Sequence, residues 1–360
     1  MGNSLTFTDL LKQKTWTKYE DYIKEAHIEI KSEVKKHIQE EEKFIKAIKN
    51  SDEFNELETK DVSGNLKEAE KLLLNGNVIG IDGTRSTFRL LSGTRTQIGV
   101  VAVNYLNDKI KHSFLISEAS FFAEKDNIMD NLHERTSNES EITDMAIRGL
   151  MLYREREMGL LPEFKDKFVM FHGPLLPFEL INGLGRFRAL HTTVEQLKQI
   201  IDEKRFFSII SASSRRFYDY LYFGRAINPF EFLTSSKHTL KDHIYGNPDF
   251  MNKSKWRDDE YQYIEKFLID YAENIYIGVI RVGDKPYVFH AHKENFEMAA
   301  AIIARDSMFQ REKGFPLLID YADNLCSQYF PTSDFIRLME WELAINNKYF
   351  SSIPEKSMRM

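Results

Sequence analysis

Residues 78–87 read VIGIDGTRST, and the change of pattern inside this stretch sets the fold. Val78–Ile81 is a compact apolar run whose β-branched side chains suit a buried strand. Asp82–Gly83 follows as a turn signal and TRST as a polar segment, so a strand that delivers a carboxylate at its end is expected here. Downstream, Gly99–Tyr105 and His112–Ser117 repeat the strand signature. Thr143–Gly159 switches to helical spacing, with Ile147, Leu150, Met151 and Leu152 among charges. Phe168–Phe171 is a further short strand, ending in HGPLLP. A helix over Thr192–Lys204, a strand over Phe206–Ile210 and the polar run SASSRR come next. Ile275–Arg281 and Pro286–Phe289 form a hairpin pattern around VGDK, and Phe296–Phe309 closes the series as a helix. Strands and helices interleaved in this way predict an α/β fold rather than a bundle or a sandwich. Residues 228–270 are the least periodic and read as an insertion or a lid.

Upstream of Val78 the pattern is helical. Between Thr17 and Lys49, apolar residues such as Tyr22, Ile23, Ile30, Val34, Ile38, Phe44 and Ile48 recur among dense Lys and Glu. Ser51–Gly76 reads as a second helical region ending at Asn75–Gly76, with Leu66, Ala69, Leu72 and Leu73 as its stripe. The expected organisation is therefore a helical arm over 1–76 and an α/β domain over 77–350. A chain of 360 residues supports roughly two domains at about 150 residues each, or one large α/β domain with insertions.

Composition removes several functions. The net charge of −6 excludes a broadly basic nucleic-acid binder, so any phosphate-binding surface has to be local. The single cysteine excludes an intramolecular disulfide and thiolate-rich zinc or iron–sulfur sites, and makes reducing cytoplasm the simplest compartment. No segment approaches 18 uninterrupted apolar residues, so no membrane partner is expected. Walker A, dinucleotide-binding, HExxH, EF-hand and GxSxG signatures are all missing.

Chemistry then rests on a few polar side chains. Asp82, projected from a rigid strand beside Gly83, could hold Mg²⁺ or Mn²⁺, which favour oxygen ligands; an ordinary turn would also use Asp-Gly. Glu155 and Glu157 lie two apart on a helix, so at most one joins Asp82. Glu141, at the start of that helix, could simply favour its positive end. His172 repeats the strand–polar–glycine placement of Asp82 and could coordinate a metal, orient water or be a buried, hydrogen-bonded residue. Asp320 and Asp323 could share one helical face or cap a helix start. Arg215 and Arg216 follow an apolar strand and could neutralise phosphates, as could Arg186 and Arg188, or each could form salt bridges.

Taken together, VIGIDGTRS (78–86), REREMG (154–159), FVMFHGPLLPFE (168–179) and GFPLLIDYADNL (314–325) resemble the NurA nuclease family over about residues 75–345. That resemblance implies an RNase H-like mixed sheet flanked by helices, a homodimer, and hydrolysis of DNA with Mn²⁺ (or Mg²⁺). It also implies a HerA-like hexameric ATPase as partner, in repair or anti-phage defence. On the family pattern Asp82 and Glu155 (Glu157 in the alternative register) would be the main metal ligands. His172 falls where the family has a second aspartate, and Asp323 where it has a histidine. If these two meet, the ligand inventory survives an exchange: Asp323 completes the site and His172 ligates metal or positions the attacking water. Phe315 falls on the family tyrosine and cannot supply its hydroxyl. The expected lysine is absent from ISASSRRF (210–217), leaving Arg215 or Arg216 for the DNA backbone. The resemblance thus implies a metal-dependent deoxyribonuclease. The alternative is a catalytically degenerate module that docks on the motor and guides DNA.

Overall fold

The strand that begins at Val78 is the longest among the described residues. In the computed structural model, which describes residues 8, 19–90, 93–106, 109–117, 139–183, 189–211, 218–235, 239–246 and 256–346, it runs from Val78 to Leu90. It belongs to a nine-stranded sheet built from β1 (Glu58–Asp61), β2 (Val78–Leu90), β3 (Gly93–Val103), β4 (Lys109–Ser117), β5 (Phe168–His172), β6 (Phe206–Ile210), β7 (Glu231–Thr234), β8 (Ile275–Arg281) and β9 (Pro286–His292). The spatial order is β1-β7-β8-β9-β6-β5-β2-β3-β4. Only the β2–β5 and β5–β6 pairings are parallel; the others are antiparallel. The result is a mixed sheet flanked by helices, an RNase H-like α/β fold, as expected.

The chain divides into two compact units, Met1–Phe54 and Asn55–Met360. The first contains α1 (Tyr19–Lys49), a 31-residue helix. Its Ile23, Ile30, Val34 and Ile38 are each at least half exposed, a row of apolar side chains on an otherwise charged rod. In the second unit, the segment expected to be helical over Ser51–Gly76 is interrupted. Glu58–Asp61 forms β1 against β7, in register Glu58↔Thr234, and only then does α2 (Leu66–Leu74) bury Ala69 and Leu73. Alternation in ETKD is too short to outweigh the helix formers around it, so pairing with a distant strand decided that segment. The aperiodic region 228–270 likewise joins the sheet through β7, and then forms α6 (Leu240–Tyr245) and α7 (Asp258–Asp270). Thr239 starts α6 with a capping box to Asp242, which satisfies the free N–H groups of the first turn.

Helices cover both faces. α3 (Glu139–Gly159) and α4 (Leu190–Asp202) share one layer, and α5 (Tyr218–Ala226) packs on β8 and β9. α8 (Phe296–Ser307) has Ala299 to Ala304 buried without interruption, as a helix apolar all round must be. α9 (Leu317–Tyr329) lies across β2 and β3, and α10 (Thr332–Ile345) follows. Strand alternation assigns the faces. A methyl group on Gly80 would meet Leu318 of α9 at 2.8 Å, whereas one on Gly83 would meet Glu155 Oε1 of α3 at 2.6 Å. Both positions need glycine because a helix comes down on them.

Candidate functional site

Asp82 does not end its strand. β2 continues through the polar TRST segment, pairing Asp82↔Val101 and on to Leu90↔Gly93. Thr84 to Thr87 read as a loop because they are polar, but the antiparallel partner β3 holds them extended, and Arg85 reaches out to Asp144 of α3 at 2.6 Å. What does end beside Asp82 is the parallel pairing with β5, whose last register pair is Ile81↔Phe171. Asp82 and His172 are therefore each the first residue past the β2–β5 ladder. Two residues 90 apart in sequence meet there: His172 Nδ1 lies 3.3 Å from Asp82 Oδ2. Asp82 Oδ1 accepts the N–H of Gly83 at 2.9 Å, and the Asp82 carbonyl accepts the Cys326 thiol at 3.2 Å. Gly173, at φ +89°, turns the chain away behind the histidine and donates to Ile209 O.

The other face of His172 touches Ser211, whose Oγ is 2.6 Å from Nε2. Phe315 is buried with its ring 5.8 Å from the imidazole in an edge-to-face arrangement, so the position expected to carry a phenol instead offers an apolar wall. Burial alone would lower the imidazole's proton affinity. The hydrogen bond to Asp82 and the charges of Asp82, Glu155 and Asp323 outweigh it and raise the pKa above the ordinary histidine range.

Glu155, not Glu157, faces this region. Glu157 is exposed and paired with Arg154 at 2.6 Å, while Glu155 is 1% exposed and lies over Gly83. Its immediate neighbour Arg156 is wholly buried and holds Glu155 Oε2 at 2.8 Å. The same guanidinium donates to Leu152 O at 3.2 Å and Pro174 O at 2.6 Å, and packs 4.8 Å from the centre of the Phe171 ring. Burial raises the Glu155 carboxyl, Arg156 opposes that rise and Asp82 adds to it. Asp323 sits nearly two turns into α9, exposed, with its carboxyl raised first by burial, then by the charge of Asp82 and a hydrogen bond to it. Asp320 turns away to Gln310, at 2.8 Å, and Lys313. The side chain of Glu141, and Arg186, Arg188, Arg215 and Arg216, lie outside the described residues.

The structure thus gathers Asp82, His172, Glu155 and Asp323 within electrostatic reach of one another. It does not arrange them as a metal centre. Among the described residues, no group of three or more His, Cys, Asp or Glu is placed to hold a metal ion. This overturns the expected Mn²⁺ or Mg²⁺ site at Asp82, Glu155, His172 and Asp323, and with it the metal-dependent deoxyribonuclease and the keywords that followed from it. The physical reason lies in the partners. Arg156 holds Glu155 at 2.8 Å and His172 Nδ1 lies 3.3 Å from Asp82 Oδ2, so both carboxylates already have partners supplied by the protein.

Several residues that shape the site carried no weight in the sequence. Arg156 was hidden in the charged run REREMG, although Leu152 and Gly159, four before and three after, mark its face as the buried one. Ser211 was one serine in a polar run. Lys285, in the turn between β8 and β9, donates to Ser211 O at 3.2 Å across a separation of 74 residues, which no local pattern announces.

No family model and no curated protein matches the sequence. Among solved structures, the chain is similar to the NurA nuclease from Sulfolobus solfataricus, at 11% identity and a TM-score of 0.51, over 94% of this chain and all of that one. A structure of NurA with manganese aligns at 13% identity and a TM-score of 0.43, over 69% of this chain and 84% of that one. NurA bound to dAMP and manganese aligns at 12% and 0.39, over 72% and 88%. The first of these likenesses establishes a shared NurA fold. No helix among the described residues is long and apolar enough to cross a membrane.

Proposed function

We propose that this chain is a catalytically degenerate NurA-like module that docks on a HerA-like hexameric DNA translocase and guides DNA. The observation that carries the reading is the pairing of the acidic cluster with basic groups of the chain itself, Glu155 with the Arg156 guanidinium and Asp82 with the His172 ring, inside a NurA fold. A carboxylate cluster paired from within keeps its shape without a metal, so towards DNA the fold serves for binding rather than for metal-dependent hydrolysis. The bulk charge of −6 supports delegating DNA affinity to a motor and to a local basic patch, for which Arg215 and Arg216 are the candidates. The exposed apolar row on α1 supports a protein partner, either the motor or a second copy in a homodimer. The cytoplasm, where such a motor meets DNA, fits the single cysteine.

The test uses the full chain with a HerA-family ATPase encoded beside it. Size-exclusion chromatography should show a complex, and anisotropy on linear duplex and single-stranded DNA should show tighter binding by the complex than by the motor alone. Adding Mn²⁺ or a chelator should leave that binding unchanged and produce no cleavage. Failure to form the complex or to alter DNA binding refutes the docking role. Mn²⁺-dependent cleavage that Asp82→Asn abolishes refutes the degeneracy.

A further inference from the structure

Asp82, His172 and Ser211 stand in line. His172 Nδ1 faces Asp82 Oδ2 at 3.3 Å, and His172 Nε2 is 2.6 Å from Ser211 Oγ. A nucleophile bonded to a base whose far nitrogen is oriented by a carboxylate is recognised by this geometry and not by position in the chain. We propose that Ser211 is an activated nucleophile, with His172 as its general base and Asp82 orienting that base, and that it takes neutral carboxylic esters without any metal.

Three features of the surroundings support the assignment. The tautomer is set from one side: Nδ1–H donates to Asp82, which leaves Nε2 to accept from the Ser211 hydroxyl. Phe315 packs edge-to-face on the imidazole at 5.8 Å and walls that side of the ring with a group that offers it no hydrogen bond. The site is part-open, with the His172 side chain 29% exposed, so a substrate can reach it. Substrate charge follows from the neighbours. Asp82, Glu155 and Asp323 all act on His172, and they repel an anionic phosphodiester more than a neutral ester. Lys285 Nζ donates to the Ser211 carbonyl at 3.2 Å and so ties down the backbone that carries the nucleophile.

The chemistry balances with water alone. Ser211 Oγ bonds to the carbonyl carbon as its proton passes to His172 Nε2, and the π pair moves onto oxygen. Collapse breaks the bond to the leaving alcohol, which takes the proton from His172, and Ser211 is left acylated. Water then attacks the acyl carbon, giving its proton to His172. The bond to Oγ breaks, Ser211 recovers its proton, and the carboxylic acid departs.

The inference is independent of DNA guiding, since its test needs neither DNA nor ATPase. The full chain is treated with a fluorophosphonate probe and, separately, with p-nitrophenyl acetate, and adducts are located by mass spectrometry. Ser211 should be labelled far faster than Ser113, an exposed serine on β4, and should carry the acetyl adduct. His172→Gln and Asp82→Asn should each slow labelling about 100-fold or more, the usual contribution of a general base and its orienting group. Circular dichroism of both variants checks that they fold. The comparison of Ser211 with Ser113 in the unaltered chain stands even if they do not. Labelling of Ser211 no faster than Ser113, or unchanged labelling in a folded His172→Gln variant, overturns the proposal.

Discussion

The pairing of Glu155 with Arg156 can be tested by replacing Arg156 with methionine, which keeps much of the volume and removes the charge. Arg156 is fully buried, Glu155 is 1% exposed, and 2.8 Å separates their charged atoms. Removing one member of such a pair leaves a buried charge without its partner, at a cost of about 3–5 kcal/mol. Replacing both, as Glu155→Gln with Arg156→Met, removes that uncompensated charge. The double variant should lose only about 1–2 kcal/mol, much of it from the Pro174 carbonyl, which no longer receives the guanidinium. Urea unfolding of the four proteins should therefore give strong non-additivity, with the double variant more stable than Arg156→Met alone. A pH arm follows from the charge. Without Arg156, only the smaller effect of His172 opposes the rise that burial imposes on Glu155, so its folded pKa moves further above the unfolded value. Stability tied to a raised carboxyl is present at low pH and lost as pH rises through the folded pKa. The penalty of Arg156→Met should accordingly be smaller at pH 5 than at pH 8. Additive losses, or a penalty equal at both pH values, would show that Arg156 does not compensate Glu155.

Gly83→Ala places a methyl group 2.6 Å from Glu155 Oε1 and 3.0 Å from Met151, and should destabilise by about 1–3 kcal/mol in urea unfolding, relieved in part by Glu155→Ala. Asp306, buried under Tyr105 and bonded to the Leu318 N–H at 2.9 Å, has its pKa pushed by burial up to about 6. Its stability contribution is therefore greatest below the unfolded carboxylate pKa near 4 and falls as pH rises to 6, by about 3 kcal/mol, and Asp306→Asn should flatten that part of the pH–stability curve. Cys326 is buried, and burial with the nearby carboxylates of Asp82, Glu155 and Asp323 raises its thiol pKa. Ellman's reagent should be nearly inert towards the native chain and titrate one thiol after unfolding.

Strands with dense β-branched content were legible in sequence. Val78–Ile81, Phe206–Ile210 and Ile275–Arg281 all lie in the sheet, because buried strands need little beyond continuous apolar surface. The polar extension of β2 through Leu90 and the edge strand β1 were not legible, since long-range partners hold them. The site shows the same division. The convergence of Asp82, Glu155, His172 and Asp323 could be anticipated from family resemblance, as Asp82 and His172 lie just past the β2–β5 pairing and Glu155 and Asp323 lie on helices. Their ionic partners could not be anticipated. Arg156 depends on which side of α3 is buried, and Ser211 and Lys285 on the meeting of β6 with the β8–β9 turn.

The exchange of residue types between positions 172 and 323 has consequences for charge. Asp82, Glu155 and Asp323 would together place up to three negative charges in one partly buried space, which is unstable unless cations or protons offset them. Arg156 supplies one fixed charge to the buried member of the set. His172, with its pKa raised by the same carboxylates, supplies a second that depends on pH. Burial and the charge of Asp82 raise the Asp323 carboxyl, which favours its neutral form. Each compensation reduces the negative charge left to attract an oxygen-seeking cation, and among the described residues no group of three is placed to hold one. The far nitrogen of the same ring, Nε2, is left facing the Ser211 hydroxyl at 2.6 Å. A site closed to metals in this way remains open to metal-free chemistry.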